Sequence, residues 1–90
     1  MHAELDRIFL ALADPTRRRV LELLREREPR STNELALAFP LSRWAVMKHL
    51  DVLRAAGLVQ TLPQGRRRLH FADRRPLGDA AAWLAPASRR

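Results

Sequence analysis

Cysteine and tyrosine are both absent, lysine occurs once, and no apolar run approaches the roughly 20 residues that a membrane span requires. Without cysteine the chain has no disulfide, no thiolate zinc site and no thiol nucleophile. The opening Met1-His2-Ala3-Glu4 lacks the apolar stretch of a signal peptide, so a soluble, cytoplasmic chain with no membrane association is expected. His2, His49 and His70 fall on separate segments without metal-ligand spacing, and no acidic cluster joins them, so neither a metal nor a cofactor is expected. No nucleophile and base, and no pair of carboxylates, stand at a useful spacing, which argues against an enzyme. Ninety residues suit one domain over residues 1–90, with a modest core that a partner subunit would help to complete.

What is present is positive charge, and it is unevenly spread. The net charge is +7, yet residues 1–41 hold seven arginines and seven acids and are neutral. Residues 42–75 carry Arg43, Lys48, Arg54, Arg66, Arg67, Arg68, Arg74 and Arg75 against only Asp51 and Asp73, a local excess of six. A segment of that kind is the electrostatic footprint of a polyanion site, although charge alone equally fits a solvated basic face.

The apolar spacing organises the chain. Leu5, Ile8, Phe9 and Leu12 recur at i, i+3, i+4, i+7 and predict a first helix ending near Ala13. Asp14 as N-cap and Pro15 at the first helical position open a second helix, carrying Val20, Leu21 and Leu24 to about Glu28. Ser31 and Glu34 form a capping box for a short third helix with Leu35, Ala38 and Phe39, stopped by Pro40. Ser42 caps a fourth helix that runs to Ala56, with Gly57 suited to the left-handed position beyond its end. Two helices joined by this tight turn are the signature of a helix-turn-helix. Leu58 to Leu62 then reads as a strand, Pro63-Gln64-Gly65 as a turn, and Arg68 to Phe71 as a second strand, giving a hairpin with an arginine-rich tip. Leu77, Ala80, Ala81 and Leu84 supply the stripe of a last helix. The expected fold is mainly α with a β-hairpin wing, in the order α-α-α-α-β-β-α.

On a helical wheel the fourth helix sends Ala45, Val46, His49, Leu50, Val52, Leu53 and Ala56 inward and Arg43, Trp44, Met47, Lys48, Asp51 and Arg54 outward. Large apolar residues on an exposed face require a cover. A DNA major groove is one, offering thymine methyls to Trp44 and Met47 and guanine O6 and N7 to a bidentate Arg43. Packing of Trp44 on the preceding turn or the hairpin is nearly as good an account. The DNA-facing set is taken as Ser31, Thr32, Ser42, Arg43, Trp44, Met47, Lys48 and Arg54 together with Gln64, Gly65, Arg66, Arg67 and Arg68 at the hairpin tip. Strand alternation puts Arg66 and Arg68 on one side and Arg67 on the other with Leu69 and Phe71. These arginines fit phosphate or minor-groove contact, or a charged edge that blocks aggregation. Arg17, Arg18 and Arg19 sit among acids and are assigned to the surface and to internal pairing.

The stretches ALADPTRRRVLELL (Ala11 to Leu24), TNELA (Thr32 to Ala36), LSRWAVMKHL (Leu41 to Leu50), LRAAGLV (Leu53 to Val59) and GRRRL (Gly65 to Leu69) together resemble the ArsR/SmtB family of bacterial winged-helix repressors over nearly the whole chain. The resemblance implies a homodimer built from the first and last helices, the fourth helix as recognition helix, the hairpin as wing, and repression at an inverted-repeat operator. It also implies the metal-independent subgroup. Ala36 and Ala38 stand where one type of metal sensor has a cysteine pair, and Asp79 has no histidine partner on the last helix. Met47 replaces a small hydroxyl residue common in the recognition helix. The interface expected from both the resemblance and the two apolar stripes is Leu5, Ile8, Phe9, Leu12, Leu77, Ala80, Ala81 and Leu84, which would bury each other across a two-fold axis. The competing functions are a metal- or ligand-responsive sensor of the same fold and a winged-helix module that binds protein.

Overall fold

The computed structural model describes residues 3–86; His2 and the basic end at Arg89 and Arg90 lie outside them. Five helices and three short strands follow in the order α1 (Ala3–Leu12), α2 (Pro15–Glu26), β1 (Arg30–Ser31), α3 (Thr32–Leu37), α4 (Arg43–Ala55), β2 (Val59–Gln64), β3 (Arg67–Ala72) and α5 (Arg75–Leu84). The strands form an antiparallel sheet in the order β1-β3-β2.

The caps explain most of the boundaries. Asp14 accepts the Arg17 N–H at 3.1 Å and Ser42 accepts the Ala45 N–H at 3.1 Å, each satisfying a donor that the first helical turn leaves unpaired. Gly57 has φ 74°, the left-handed conformation that ends α4. Side chains close the other end of α1. Arg17 donates to the Leu10 and Ala11 carbonyls at 2.8 and 2.9 Å, and Arg18 donates to that of Leu12 at 2.7 Å.

Four details depart from expectation. Helix α2 stops at Glu26 rather than Glu28, because Arg27 turns to extended backbone and carries its side chain to Glu34. Helix α3 stops at Leu37, so Ala38 is its cap and Phe39 lies beyond it. Strand β1 was not expected; Arg30 and Ser31 pair with His70 and Leu69. Pro63 lies within β2 rather than in the turn, which is tolerated because β2 is an edge strand. The turn is Gly65-Arg66, with Gly65 at φ 60°, matching the glycine-first preference of a two-residue hairpin turn.

The core joins α1, α2, α3, α4 and the sheet. Val20, Leu24, Leu35, Val46, Leu53 and Leu58 are its fully buried centre. Ile8 and Ala80 belong to the same core, at 3% and 4% exposure. That corrects their place in the expected subunit interface, since side chains buried by their own chain have nothing left to offer a partner. Leu5, Phe9, Leu12 and Leu77 are half-buried, and Ala81 and Leu84 are exposed. Trp83, which was off the expected stripe, is 59% exposed and meets Phe9 edge-on at 5.7 Å between ring centres. Leu5, Phe9, Trp83 and Leu84 with Asp6 line an open cavity of about 600 Å³.

Candidate nucleic-acid interface

The outward face of α4 begins at its cap. Ser42 holds the helix start, and Arg43, the first helical residue, donates its Nε–H to Asn33 Oδ1 at 2.8 Å. Both terminal nitrogens of the guanidinium are without a hydrogen bond among the described residues. Asn33 is a residue that the sequence reading did not single out. The pairing joins α3 to α4 across ten positions with no periodic pattern to announce it.

Trp44 is 68% exposed and does not pack into the core; Lys48 Nζ lies 5.2 Å from its ring centre. A cation over an exposed indole restrains both side chains modestly. Met47 and Arg54 are half-buried rather than fully outward. Both line a cleft between α4 and the hairpin, and Arg54 is hydrogen-bonded to Asp51.

The turn and the first residues of β3 separate the three arginines. Arg66 and Arg68 line the cleft, whereas Arg67 turns away and approaches Glu34 at 3.7 Å. Neither the Arg66 nor the Arg68 guanidinium has a hydrogen bond or ion pair among the described residues. Arg75, by contrast, is paired with Asp73 at 2.6 Å, and that guanidinium holds the Asp73 carboxyl well below the usual carboxylate range.

At the bottom of the cleft is His70, 2% exposed. Its Nε2 is 2.8 Å from Thr32 Oγ1 and its Nδ1 is 2.9 Å from Thr61 Oγ1. Burial, reinforced by the positive charges of Arg54 and Arg68, lowers its pKa from 6.5 to about 4. The ring is therefore neutral at physiological pH, and each nitrogen has a hydroxyl partner that either donates or accepts.

The same bonds correct the expectation for Ser31 and Thr32. Ser31 is 6% exposed, with its hydroxyl accepting from the Glu34 N–H while Glu34 accepts from the Ser31 N–H. Thr32 is 4% exposed and spends its hydroxyl on His70. Both hydroxyls have partners within the fold and little solvent exposure. Glu34 also accepts from Arg27 at 2.6 Å, and with the Ser31 N–H this lowers its pKa to about 2. His49 is half-buried and receives a hydrogen bond from Arg17 at 3.3 Å, with Asp14 at 3.8 Å. The three consecutive arginines of α2 are thus tied internally, Arg19 by Glu22 at 3.8 Å.

An exposed basic helix, a basic hairpin beside it and two joined helices in front form a winged helix-turn-helix. Comparison with known proteins agrees. A helix-turn-helix domain family matches residues 12–61. The HTH-type transcriptional regulator Rv2034 of Mycobacterium tuberculosis is 47% identical over 76 residues, covering 84% of this chain and 68% of that protein. The transcriptional repressor SdpR of Bacillus subtilis is 26% identical over 80 residues, covering 89% of this chain and 88% of that one. The crystal structure of an ArsR family transcriptional regulator superposes with a TM-score of 0.90 at 39% identity, over 98% of this chain and 90% of that chain. The chain belongs to the ArsR family of helix-turn-helix transcriptional regulators. This ArsR family member is a transcriptional regulator with a DNA-binding fold and not an enzyme. Among its described residues no helix is long and apolar enough to cross a membrane.

Proposed function

We propose that this ArsR family regulator is a homodimeric repressor that binds an inverted-repeat operator, with α4 in the major groove and the β2–β3 hairpin in the adjoining minor groove. The observation that carries the reading is the exposed face of α4. Trp44, 68% exposed, and Lys48 stand beside an Arg43 whose outer nitrogens are free, next to the unpaired Arg66 and Arg68. A duplex supplies what that face lacks: guanine acceptors for Arg43, an apolar cover for the indole, and phosphates for Lys48 and the hairpin. Gln64 and Gly65 carry the hairpin tip to the backbone. Repression is supported by the relative named as a repressor, SdpR.

The dimer is supported by the uncovered apolar surface on α1 and α5, where Leu5, Phe9, Trp83 and Leu84 meet. A two-fold axis there would set two recognition helices about one DNA turn, roughly 34 Å, apart. Binding is proposed to be independent of metal. The deciding experiment is a mobility shift with the chain's own promoter fragment, repeated at rising salt. Retarded, salt-sensitive complexes that outlast a random competitor are expected. A protein that ignores both duplexes would leave a protein-binding role for the same face.

A further inference from the structure

The cleft between α4 and the hairpin holds more charge of one sign than the protein offsets. Arg43, Arg54, Arg66 and Arg68 line about 120 Å³ of space with a single carboxylate, Asp51, among them. His70 at the bottom is neutral and contributes nothing to the balance. Asp51 is tied to Arg54, and Arg43 is tied to Asn33 at the base-facing end of the helix. Arg66 and Arg68 have no hydrogen-bonding or ionic partner among the described residues, so two guanidiniums face Arg54 across a concave surface with nothing to neutralise them. Like charges gathered this closely repel unless an anion joins them.

Duplex geometry says which anion. Adjacent major and minor grooves are separated by one sugar-phosphate strand. A protein with a helix in the first and a hairpin in the second straddles that strand, and the gap between helix and hairpin is where it must pass. The cleft, at about 120 Å³, has room for a phosphate group, and only one strand of the duplex passes through it. Guanidinium forks match phosphate oxygens in geometry as well as in charge.

We propose that the cleft between α4 and the hairpin seats one DNA backbone phosphodiester, held jointly by Arg54, Arg66 and Arg68. The proposal rests on the DNA-binding reading above and adds a stoichiometry to it: three arginines, one phosphate. Arg54 is the helix-side wall, restrained by Asp51, and Arg66 and Arg68 close over the anion from the hairpin. The seat would lock the relative placement of helix and hairpin on the duplex, since the same phosphate is gripped from both.

The test counts phosphates. Operator duplexes carrying one neutral methylphosphonate linkage at a time are titrated with the wild-type protein and with the triple variant Arg54→Gln, Arg66→Gln, Arg68→Gln. Salt dependence is measured for both on unmodified DNA. Counterion release follows the number of phosphates neutralised, about 0.9 in the logarithmic salt slope for each. One linkage per bound chain should cost the wild type about tenfold or more when neutralised and cost the triple variant nothing, and the slope should fall by about 0.9 per bound chain. A fall of about 2.7, with three sensitive linkages, means separate phosphates and overturns the shared seat. An unchanged slope and linkage profile also overturns it, because the arginines then touch no DNA. A wild type that binds no duplex at all removes the DNA reading itself and the seat with it, an outcome distinct from the other two. Arg68→Gln alone, checked by circular dichroism, repeats the linkage scan should the triple variant fail to fold.

Discussion

Mild acidification should destabilise this protein through His70. The imidazole is 2% exposed, wedged between Thr32 and Thr61, and its pKa is lowered from 6.5 to about 4. In the unfolded chain it takes up a proton near pH 6.5, whereas in the folded chain it resists until about 4. Between those values the unfolded state binds more protons, so stability falls as pH falls. The contribution is whole above about pH 6.5 and is lost progressively toward pH 4. The complete shift corresponds to about 3 kcal/mol, and the portion lost between about pH 7.5 and about pH 5 is roughly 2 kcal/mol. At the denaturant sensitivity of a small domain this moves the urea midpoint by about 1 to 2 M. Urea unfolding followed by circular dichroism at the two pH values measures it directly. The variant His70→Gln keeps groups that can bond both threonines but cannot titrate, so it should lose most of this pH dependence. Glu34, lowered from 4.5 to about 2, loses its contribution only below about pH 4.5 and stays out of the window. Equal midpoint shifts in wild type and His70→Gln would refute the argument.

Four further outcomes are expected. Arg43→Ala and Trp44→Ala should each weaken operator binding by about 1 to 3 kcal/mol with unchanged thermal unfolding; unchanged affinity in both would remove α4 as the reader. Ser31→Ala should cost about 1 kcal/mol of stability through the lost cap and leave the salt slope alone, and a reduced slope in titrations would return Ser31 to the phosphate contacts. Trp83→Glu places a charge on the exposed α1–α5 surface and should yield monomers by sedimentation at micromolar concentration, while a wild type that is itself monomeric would dismiss the interface. Zinc or a chelator should shift operator affinity by less than tenfold, about 1.4 kcal/mol; a larger coupling in a fluorescence titration would expose a metal site.

The parts of the fold that were readable from sequence are those decided within a few residues. Asp14-Pro15, Ser31 with Glu34, Ser42 and Gly57 all act on their own helix ends, and each does so in the structure. Strand β1 has two residues and hence no period; it exists because α2 and α3 bring Arg30 and Ser31 beside β3. Pro63 reads as a turn until the sheet order makes β2 an edge. An apolar stripe reveals that a helix face is covered, not by what, and so Ile8 and Ala80 were assigned to a partner when their own chain buries them. Trp83 and Leu10 fall off those stripes and are 59% and 61% exposed. The side chains of α4 were sorted correctly for Arg43, Trp44 and Lys48. Met47 and Arg54 are half-buried rather than fully outward because both line the cleft beside the hairpin, a long-range neighbourhood that a wheel does not contain.

The placement of charge also shows why a net +7 translates into a localised rather than a diffuse basic surface. Arginines in the first half close helix ends and bind carboxylates: Arg17 and Arg18 reach α1 carbonyls, Arg27 reaches Glu34, and Arg30 reaches the Leu23 carbonyl at 3.0 Å. Their charge is balanced by acids nearby, and their fields largely cancel beyond a Debye length of about 8 Å at physiological salt. Past residue 42 only the acids Asp51, Asp73 and Asp79 remain. Asp51 and Asp73 are both engaged by Arg54 and Arg75, so Lys48, Arg66 and Arg68 remain without a carboxylate partner on one side of the molecule. A duplex approaching from that side meets an uncompensated field and no competing internal pair has to break before Arg66 and Arg68 bind it. In the proposed complex, affinity comes from charge already exposed and discrimination from Arg43, held in position by Asn33, with Trp44 beside it.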